Sequence, residues 1–388
     1  MIDLASPDLR RNPFPVYSHL RDAAPVLHDP QSDAWLLFDY ANVREALSDH
    51  RRFSSDMANA GRGNPEWIIF MDPLRQAKLR ALISRAFGPS AIAELEPHIS
   101  ALAGQLLDQA LGNGAMNLVA AYATPLPMMV IAELIGIPAA EWAKFRKWSD
   151  GILRLSHTLS AGPGAQQAIA EYTAVKAELS AYVIARVESR RLQSANDLLT
   201  RLVEAEIDGE RLTDSEIIGF IELLIVAGQE TTSNLISNAV ICLAEFPDQR
   251  QALEQQPDLW PSALEEVLRY RSPVQWVFRA TTVDVEMHGQ TIPAGTLVLP
   301  VIGSANRDAR IFPDAERFDI ARAPNPHIAF GHGVHFCLGA ALARLEARIA
   351  LPLLLERLPG IRLAGHCTWA PRDALHVHGP SSLPVVFA

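Results

Sequence analysis

The chain has 388 residues, and its 49% apolar share is ample material for a buried core. It carries 34 Lys and Arg against 44 Asp and Glu, a formal charge of −10, which disfavours nucleic acid as the main partner because phosphate binding needs a basic face. Three widely spaced cysteines, Cys242, Cys337 and Cys367, exclude a disulfide framework and contain no C-x-x-C pair for zinc.

No long polar, aperiodic stretch offers a linker, so residues 1–388 read as one large domain. The first residues carry acids and no apolar core, which is not a signal peptide. No run approaches about 18 uninterrupted apolar residues, so a cytoplasmic protein without a membrane span is expected. In chain order, a short helix falls near Val16 to Leu20. Two short strands follow between Val26 and Phe38, around a turn at Asp29-Pro30-Gln31-Ser32-Asp33. Asn42 to Leu47 reads as a short helix and residues 56–70, with Gly61, Gly63 and Pro65, as a loop. Pro73 to Phe87 is a basic helix. Helical spacing continues over 89–111, 127–134, 139–155 and 165–191, with a break at Gly162-Pro163-Gly164.

Thr213-Asp214-Ser215-Glu216 forms a capping box. It opens a helix of about 32 residues that Pro247 stops, near 48 Å at 1.5 Å per residue. A helix this long and apolar must cross the interior. Two helices follow, from Pro247 to Gln256 and from Pro261 to Arg271. Composition then turns β-like from Val277 to Leu299, with a turn at His288-Gly289-Gln290. Leu338 to Arg357 is helical and the C-terminus is strand and turn. The sum is a mainly α fold with a minor antiparallel β region and a long central helix.

Three segments carry chemistry. Phe330-Gly331-His332-Gly333-Val334-His335-Phe336-Cys337-Leu338-Gly339 places a cysteine in a Gly-rich turn that opens a helix. The helix N-terminus favours a negative sulfur and predicts a lowered thiol pKa, suited to a soft metal ligand. Gly331, Gly333 and Gly339 let the backbone turn sharply, and Phe330 and Phe336 can keep water away. Ala227-Gly228-Gln229-Glu230-Thr231-Thr232 lies midway along the long helix. Gly there costs about 1 kcal/mol relative to Ala, and a Thr hydroxyl can bond back to the i−4 carbonyl, so a local opening of the helix is expected. Glu266 and Arg269 stand three apart on one helix face, a common pair that is worth little alone.

Together these segments resemble the cytochrome P450 family. The cysteine loop is similar to its F-G-x-G-x-[HR]-x-C-x-G pattern, the mid-helix segment to its A-G-x-[DE]-T-[TS] motif, and Glu266/Arg269 to its E-x-x-R motif. The matches run in order over residues 71–339. The resemblance implies a haem-thiolate monooxygenase that inserts one atom of O2 into an apolar small molecule. Haem b would be held non-covalently, with Cys337 as the iron ligand and Phe330, Gly331, Gly339 and Ala227 around it. Glu230 and Thr231 would be the acid and the alcohol of proton delivery. His335, Arg279 and Arg80 would meet the haem propionates. Glu266 and Arg269 would be structural, locking onto a downstream arginine read as Arg317. The family usually has a His where this chain has Gln76, which can donate a hydrogen bond but brings no charge; a looser hold on one propionate is implied.

By position in the pattern, Leu223, Val226, Ala227, Val274, Trp276 and Val277, with Trp67, Ile68 and Ile69, would line the substrate pocket. No reductase segment is fused, so electrons would come from a ferredoxin or flavodoxin with its own reductase. The partner would dock on a basic patch of Arg75, Lys78, Arg85, Arg344 and Arg348. A monomer is expected. Two alternatives share the loop: a peroxide-driven hydroxylase, which would not need Glu230-Thr231, and a non-catalytic haem ligand-binding or sensor protein. A zinc or thiol site using His335 and Cys337 is disfavoured, because two ligands two residues apart with no others nearby are a poor set.

Overall fold

The computed structural model describes residues 6–57, 63–157, 165–365, 369–372 and 374–388. Met1–Ala5, Gly61, Gly162-Pro163-Gly164 and Cys367, which entered the reading above, lie outside them.

Helix dominates, and the central helix runs unbroken from Asp214 to Glu245, 32 residues. Its start is the expected capping box: the Thr213 hydroxyl accepts from the Glu216 N–H while the Glu216 carboxylate accepts from the Thr213 N–H. Its end is forced by Pro247, which begins the helix Pro247–Gln255. From Ile217 to Leu243 most of its side chains are buried, and they belong to a large core that gathers residues from Trp67 to Val385.

Around this helix pack Pro125–Ile135, Trp142–His157, Ala165–Leu192, Trp260–Tyr270 and Ala340–Arg357. The reading of 89–111 as one helical stretch resolves into two helices, Pro89–Ala93 and Glu96–Ala110. No helix among the described residues is long and apolar enough to cross a membrane; the central helix is long enough but carries Asp214, Glu216, Glu222, Glu230 and Glu245.

A smaller apolar cluster lies under a five-stranded sheet ordered Val26–Asp29, Ala34–Leu37, Leu297–Pro300, Arg279–Thr281, Phe53–Ser54. The expected hairpin at 26–37 is present, with its turn over residues 30–33. One pairing departs from the antiparallel expectation: Ala34–Leu37 runs parallel to Leu297–Pro300. Parallel neighbours need a long crossover, and here the chain between them includes the central helix and every helix named above as packed round it except Ala340–Arg357.

Candidate functional site

The cysteine loop is braced from several parts of the chain. The Cys337 N–H donates to the Phe330 carbonyl at 2.8 Å, which closes the turn. Gly331 and Gly333 have φ of +75° and +72°, a region that favours glycine. A Cβ on Gly333 would also lie 2.9 Å from the Leu47 carbonyl oxygen. The helix Arg75–Ala86 grips the loop twice. Gln76, which is buried, donates from its amide to the Val334 carbonyl at 2.8 Å, and Arg80 donates to the Phe336 carbonyl at 2.6 Å. Gln76 is therefore engaged with the loop backbone, a use that its replacement of a histidine did not announce.

Cys337 is exposed, yet the protein packed round it raises its thiol pKa. The Gly339 N–H, Arg80 and Arg344 pull downward without offsetting that burial. The expected lowering by a helix N-terminus is thus overturned. The helix begins at Ala340, beyond the cysteine, and Gly339 supplies the amide that reaches the sulfur. The Arg344 guanidinium sits 4.4 Å over the Phe330 ring, and Phe330 and Phe336 lie 6.3 Å apart.

His335, Arg279 and Arg80 interact electrostatically in one neighbourhood. Arg279 is buried, and its side chain donates to the adjacent Phe278 carbonyl. Burial holds its pKa down to about 10, with Asp72 acting the other way. His335 is pushed down to about 4 by burial and then by Arg279, and its Nε2 is buried without a hydrogen-bond partner. The nearby acid, Asp72, is taken up by the Ser54 hydroxyl at 2.5 Å and the Ser55 N–H at 2.8 Å. Two crowded guanidiniums beside an imidazole nitrogen left without a partner fit a bound dianion, which is what two haem propionates present.

On the central helix, Ala227 is exposed, and Leu224, Gly228 and Thr231 are half-buried. These positions are three and four apart, so they form one open face in the middle of a buried helix. Leu223, placed in the pocket by the sequence, is instead buried in the large core; Leu224, seven residues before Thr231, is the residue that counting whole turns back from Thr231 selects. Val226 is half-buried. Val274 and Val277 pack against the smaller core, and Trp276 packs edge-on against Phe278. Trp67 is buried, Ile68 half-buried and Ile69 exposed.

The helix is not opened at Gly228. A Cβ there would lie 2.8 Å from Ile131 Cδ1, so the glycine answers a close approach of the helix Pro125–Ile135. The i−4 bond is as expected: the Thr231 hydroxyl donates to the Ala227 carbonyl at 2.5 Å. Glu230 is buried, with the Arg372 guanidinium 3.8 Å away.

Glu266 and Arg269 are fully buried and joined by two bonds of 2.7 and 2.8 Å. The downstream arginine that joins them is Arg322, 3.2 Å from both Glu266 oxygens, and not Arg317. Arg317 contributes only its backbone carbonyl, which accepts from Arg269 and Arg322. The Asp319 N–H and the Asn325 amide also donate to Glu266, so this carboxylate organises the whole turn that leads into the cysteine loop.

Sequence reasoning missed a second buried acid, Glu222. It accepts from the Trp67 indole at 3.2 Å, Asn64 at 3.2 Å and the Tyr172 hydroxyl at 3.4 Å, with Lys176 at 3.8 Å. It joins the segment before residue 71 and the helix Ala165–Leu192 to the central helix. Its signal was an acid inside an apolar run from Ile217 to Val226. Of the basic patch, Lys78 pairs with Glu210, Arg85 donates to the Glu206 carbonyl, and Arg344 and Arg348 pair with Glu265 and Glu96. Among the described residues no three His, Cys, Asp or Glu side chains cluster as a metal site.

The family model described as cytochrome P450 matches residues 163–359. The chain is 38% identical over 395 residues to the cytochrome P450 monooxygenase PikC of Streptomyces venezuelae, covering 97% of this chain and 92% of that one. It is 38% identical over 396 residues to the vitamin D(3) 25-hydroxylase of Pseudonocardia autotrophica, covering 99% and 96%. It superposes with a TM-score of 0.89 on the crystal structure of CYP109E1 from Bacillus megaterium in complex with testosterone, at 38% identity over 97% of this chain and 99% of the other.

Proposed function

The chain belongs to the cytochrome P450 family, and on that footing we propose that it hydroxylates an apolar, sterol-sized small molecule with electrons delivered by a separate redox protein. It is an oxygen-incorporating oxidoreductase that uses non-covalently bound haem with a thiolate ligand. The haem, when bound, supplies the dioxygen and one-electron chemistry. This chain's residues do the rest.

Cys337 is the proposed thiolate ligand, with Phe330, Gly331 and Gly339 shaping the loop that presents it. Arg279, His335 and Arg80 bind the propionates, and the paired negative charge would return His335 toward its ordinary pKa. The Thr231 hydroxyl leaves its bond to the Ala227 carbonyl to hold a proton at Oγ1, and the Glu230 carboxyl resupplies that proton. That pair supports an O2-driven rather than a peroxide-driven reaction. Leu224, Val226 and Ala227 offer the substrate an apolar wall, joined by Val274, Trp276 and Val277. Relatives named for vitamin D(3) and solved with testosterone make these two compounds the first to try. A ferredoxin or flavodoxin is the proposed electron donor. The 388 residues act as one domain, a monomer working in the cytoplasm.

The observation that carries this reading is the pair of guanidiniums of Arg279 and Arg80 around the unpartnered His335 imidazole near Cys337, where the neighbouring Asp72 is already bonded. Its test is an absorption spectrum of the dithionite-reduced protein under carbon monoxide. A strongly red-shifted Soret band, lost in Cys337→Ser, is expected. A band at the position of histidine-ligated haem in the unmutated protein would overturn it.

A further inference from the structure

Two consecutive carboxylates on the helix Trp260–Tyr270 brace different flanks of the cysteine loop. Glu266 organises the turn that leads into it. Glu265 joins the segment that enters the loop to the helix that leaves it. Its two oxygens accept from Nε and Nη2 of Arg344, both at 2.7 Å. One of them also meets Nε2 of His327 at 2.9 Å. The Ala329 N–H donates to Nδ1 of that ring at 3.3 Å, so Nε2 is the nitrogen that donates to Glu265. Burial raises the Glu265 carboxyl, but the bonds from Arg344 and His327 outweigh it and hold it down to about 2. Glu265 is therefore a carboxylate at neutral pH.

The arginine reaches the cysteine through the loop's own aromatic ring. Arg344 stands on the helix Ala340–Arg357, which follows Cys337, and its guanidinium lies 4.4 Å over the Phe330 ring. The Phe330 carbonyl accepts the Cys337 N–H at 2.8 Å. Arg344 and Cys337 also act on each other electrostatically, the cation favouring an ionised sulfur. A carboxylate bonded through both oxygens fixes where that cation stands and offsets its charge. The side chains of Arg344 and Glu265 are 38% and 29% accessible, so solvent screens part of what remains.

We propose that Glu265 is a positioning residue for the thiolate: it holds the Arg344 guanidinium on Phe330 and, by pairing with it, sets how much positive charge the Cys337 sulfur feels. A sulfur facing an unpaired cation is stabilised as an anion and gives less electron density to a bound iron. A sulfur beside a balanced pair keeps more to give. The proposal rests on the reading of Cys337 as the haem ligand.

The test uses the full-length, haem-loaded protein and reads the haem reduction potential by spectroelectrochemical titration. Glu265→Gln keeps the shape of the side chain and removes its charge. With the Arg344 cation unpaired the potential should rise, so that the ratio of ferrous to ferric protein at a fixed applied voltage grows about tenfold, the scale of one partly screened charge. Arg344→Gln removes the cation and leaves the carboxylate, so the potential should fall. The double variant Glu265→Gln/Arg344→Gln should return to the wild-type value. Arg344→Lys, which keeps the charge, should lie nearer to wild type than Arg344→Gln. Shifts of the same sign in Glu265→Gln and Arg344→Gln would report loosened packing instead of charge and overturn the proposal, as would no shift in either. Where Glu265→Gln does not fold, Arg344→Gln and Arg344→Lys carry the test, and equal potentials in those two overturn it. The reduced carbon monoxide spectrum of the wild type separates this proposal from the reading beneath it. With the red-shifted Soret band present, failed shifts remove only the role of Glu265. With that band absent, Cys337 is not the thiolate ligand and the proposal falls with it.

Discussion

The amide of Gln76 donates to the carbonyl of Val334 at 2.8 Å, from a side chain that is 1% exposed. One helix residue thus fixes the backbone three residues before Cys337. Gln76→Ala leaves that carbonyl without its partner and should cost about 1–3 kcal/mol of stability. Gln76→Glu should cost more, because it sets a carboxylate against a carbonyl. Urea denaturation of the two variants checks the order.

Arg322 and Arg317 separate a structural role from a neighbouring charge. Arg322→Ala strips one of two guanidinium partners from the buried Glu266, and breaking such a pair costs about 3–5 kcal/mol. Arg317 is exposed and meets the Glu266–Arg269 network through its backbone carbonyl, so Arg317→Ala should stay within about 0.5 kcal/mol of wild type. Equal effects in chemical denaturation would refute the assignment of Arg322.

Thr231→Ala should lower the product-forming rate by about 10²-fold, the scale of a lost proton-transfer group. NADH would still be consumed and its electrons recovered as peroxide. Thr231→Ser, which keeps a hydroxyl able to reach the Ala227 carbonyl, should restore most of the yield. Product and peroxide per NADH, with testosterone as the trial substrate, decide the point.

Glu346 makes stability fall as pH rises from the acid range to about 8. Burial pushes its carboxyl up to about 8. Between the ordinary carboxylate value and about 8, the folded state keeps a proton that the unfolded state releases. Stability is therefore full below that interval and falls as pH rises through it, by on the order of a few kcal/mol. Glu346→Gln should abolish that fall in urea denaturation midpoints taken from pH 5 to 8. His378 sets the acid limb. Burial holds its imidazole down to about 3, so the unfolded state binds the proton first and stability falls as pH drops from the ordinary histidine range toward 3.

Local rules made the helices and the hairpin readable. The Thr213–Glu216 box, Pro247 and the turn after Asp29 act within a few residues of themselves, and they sit where the pattern put them. What was not readable depends on approach through space. Gly228 looked like a helix opening because the side chain it makes room for, Ile131, is almost a hundred residues away. Arg317 and Arg322 are equally plausible partners until the turn at Asp319 chooses between them. Cys337 has the loop of a low-pKa thiol, but the packing that raises it comes from other elements. Arg372 carries no motif at all, and only the fold brings it to Glu230.

The parallel pairing of Ala34–Leu37 with Leu297–Pro300 joins the first tenth of the chain to its last quarter, and Gly333 rests on the carbonyl of Leu47. Contacts of such long sequence separation form slowly, because chain closure must precede any gain from them. During synthesis the cysteine is among the later residues to emerge, yet its loop needs the earliest ones already in place. With Cys337 as the proposed haem ligand, cofactor capture would wait until the polypeptide is nearly whole.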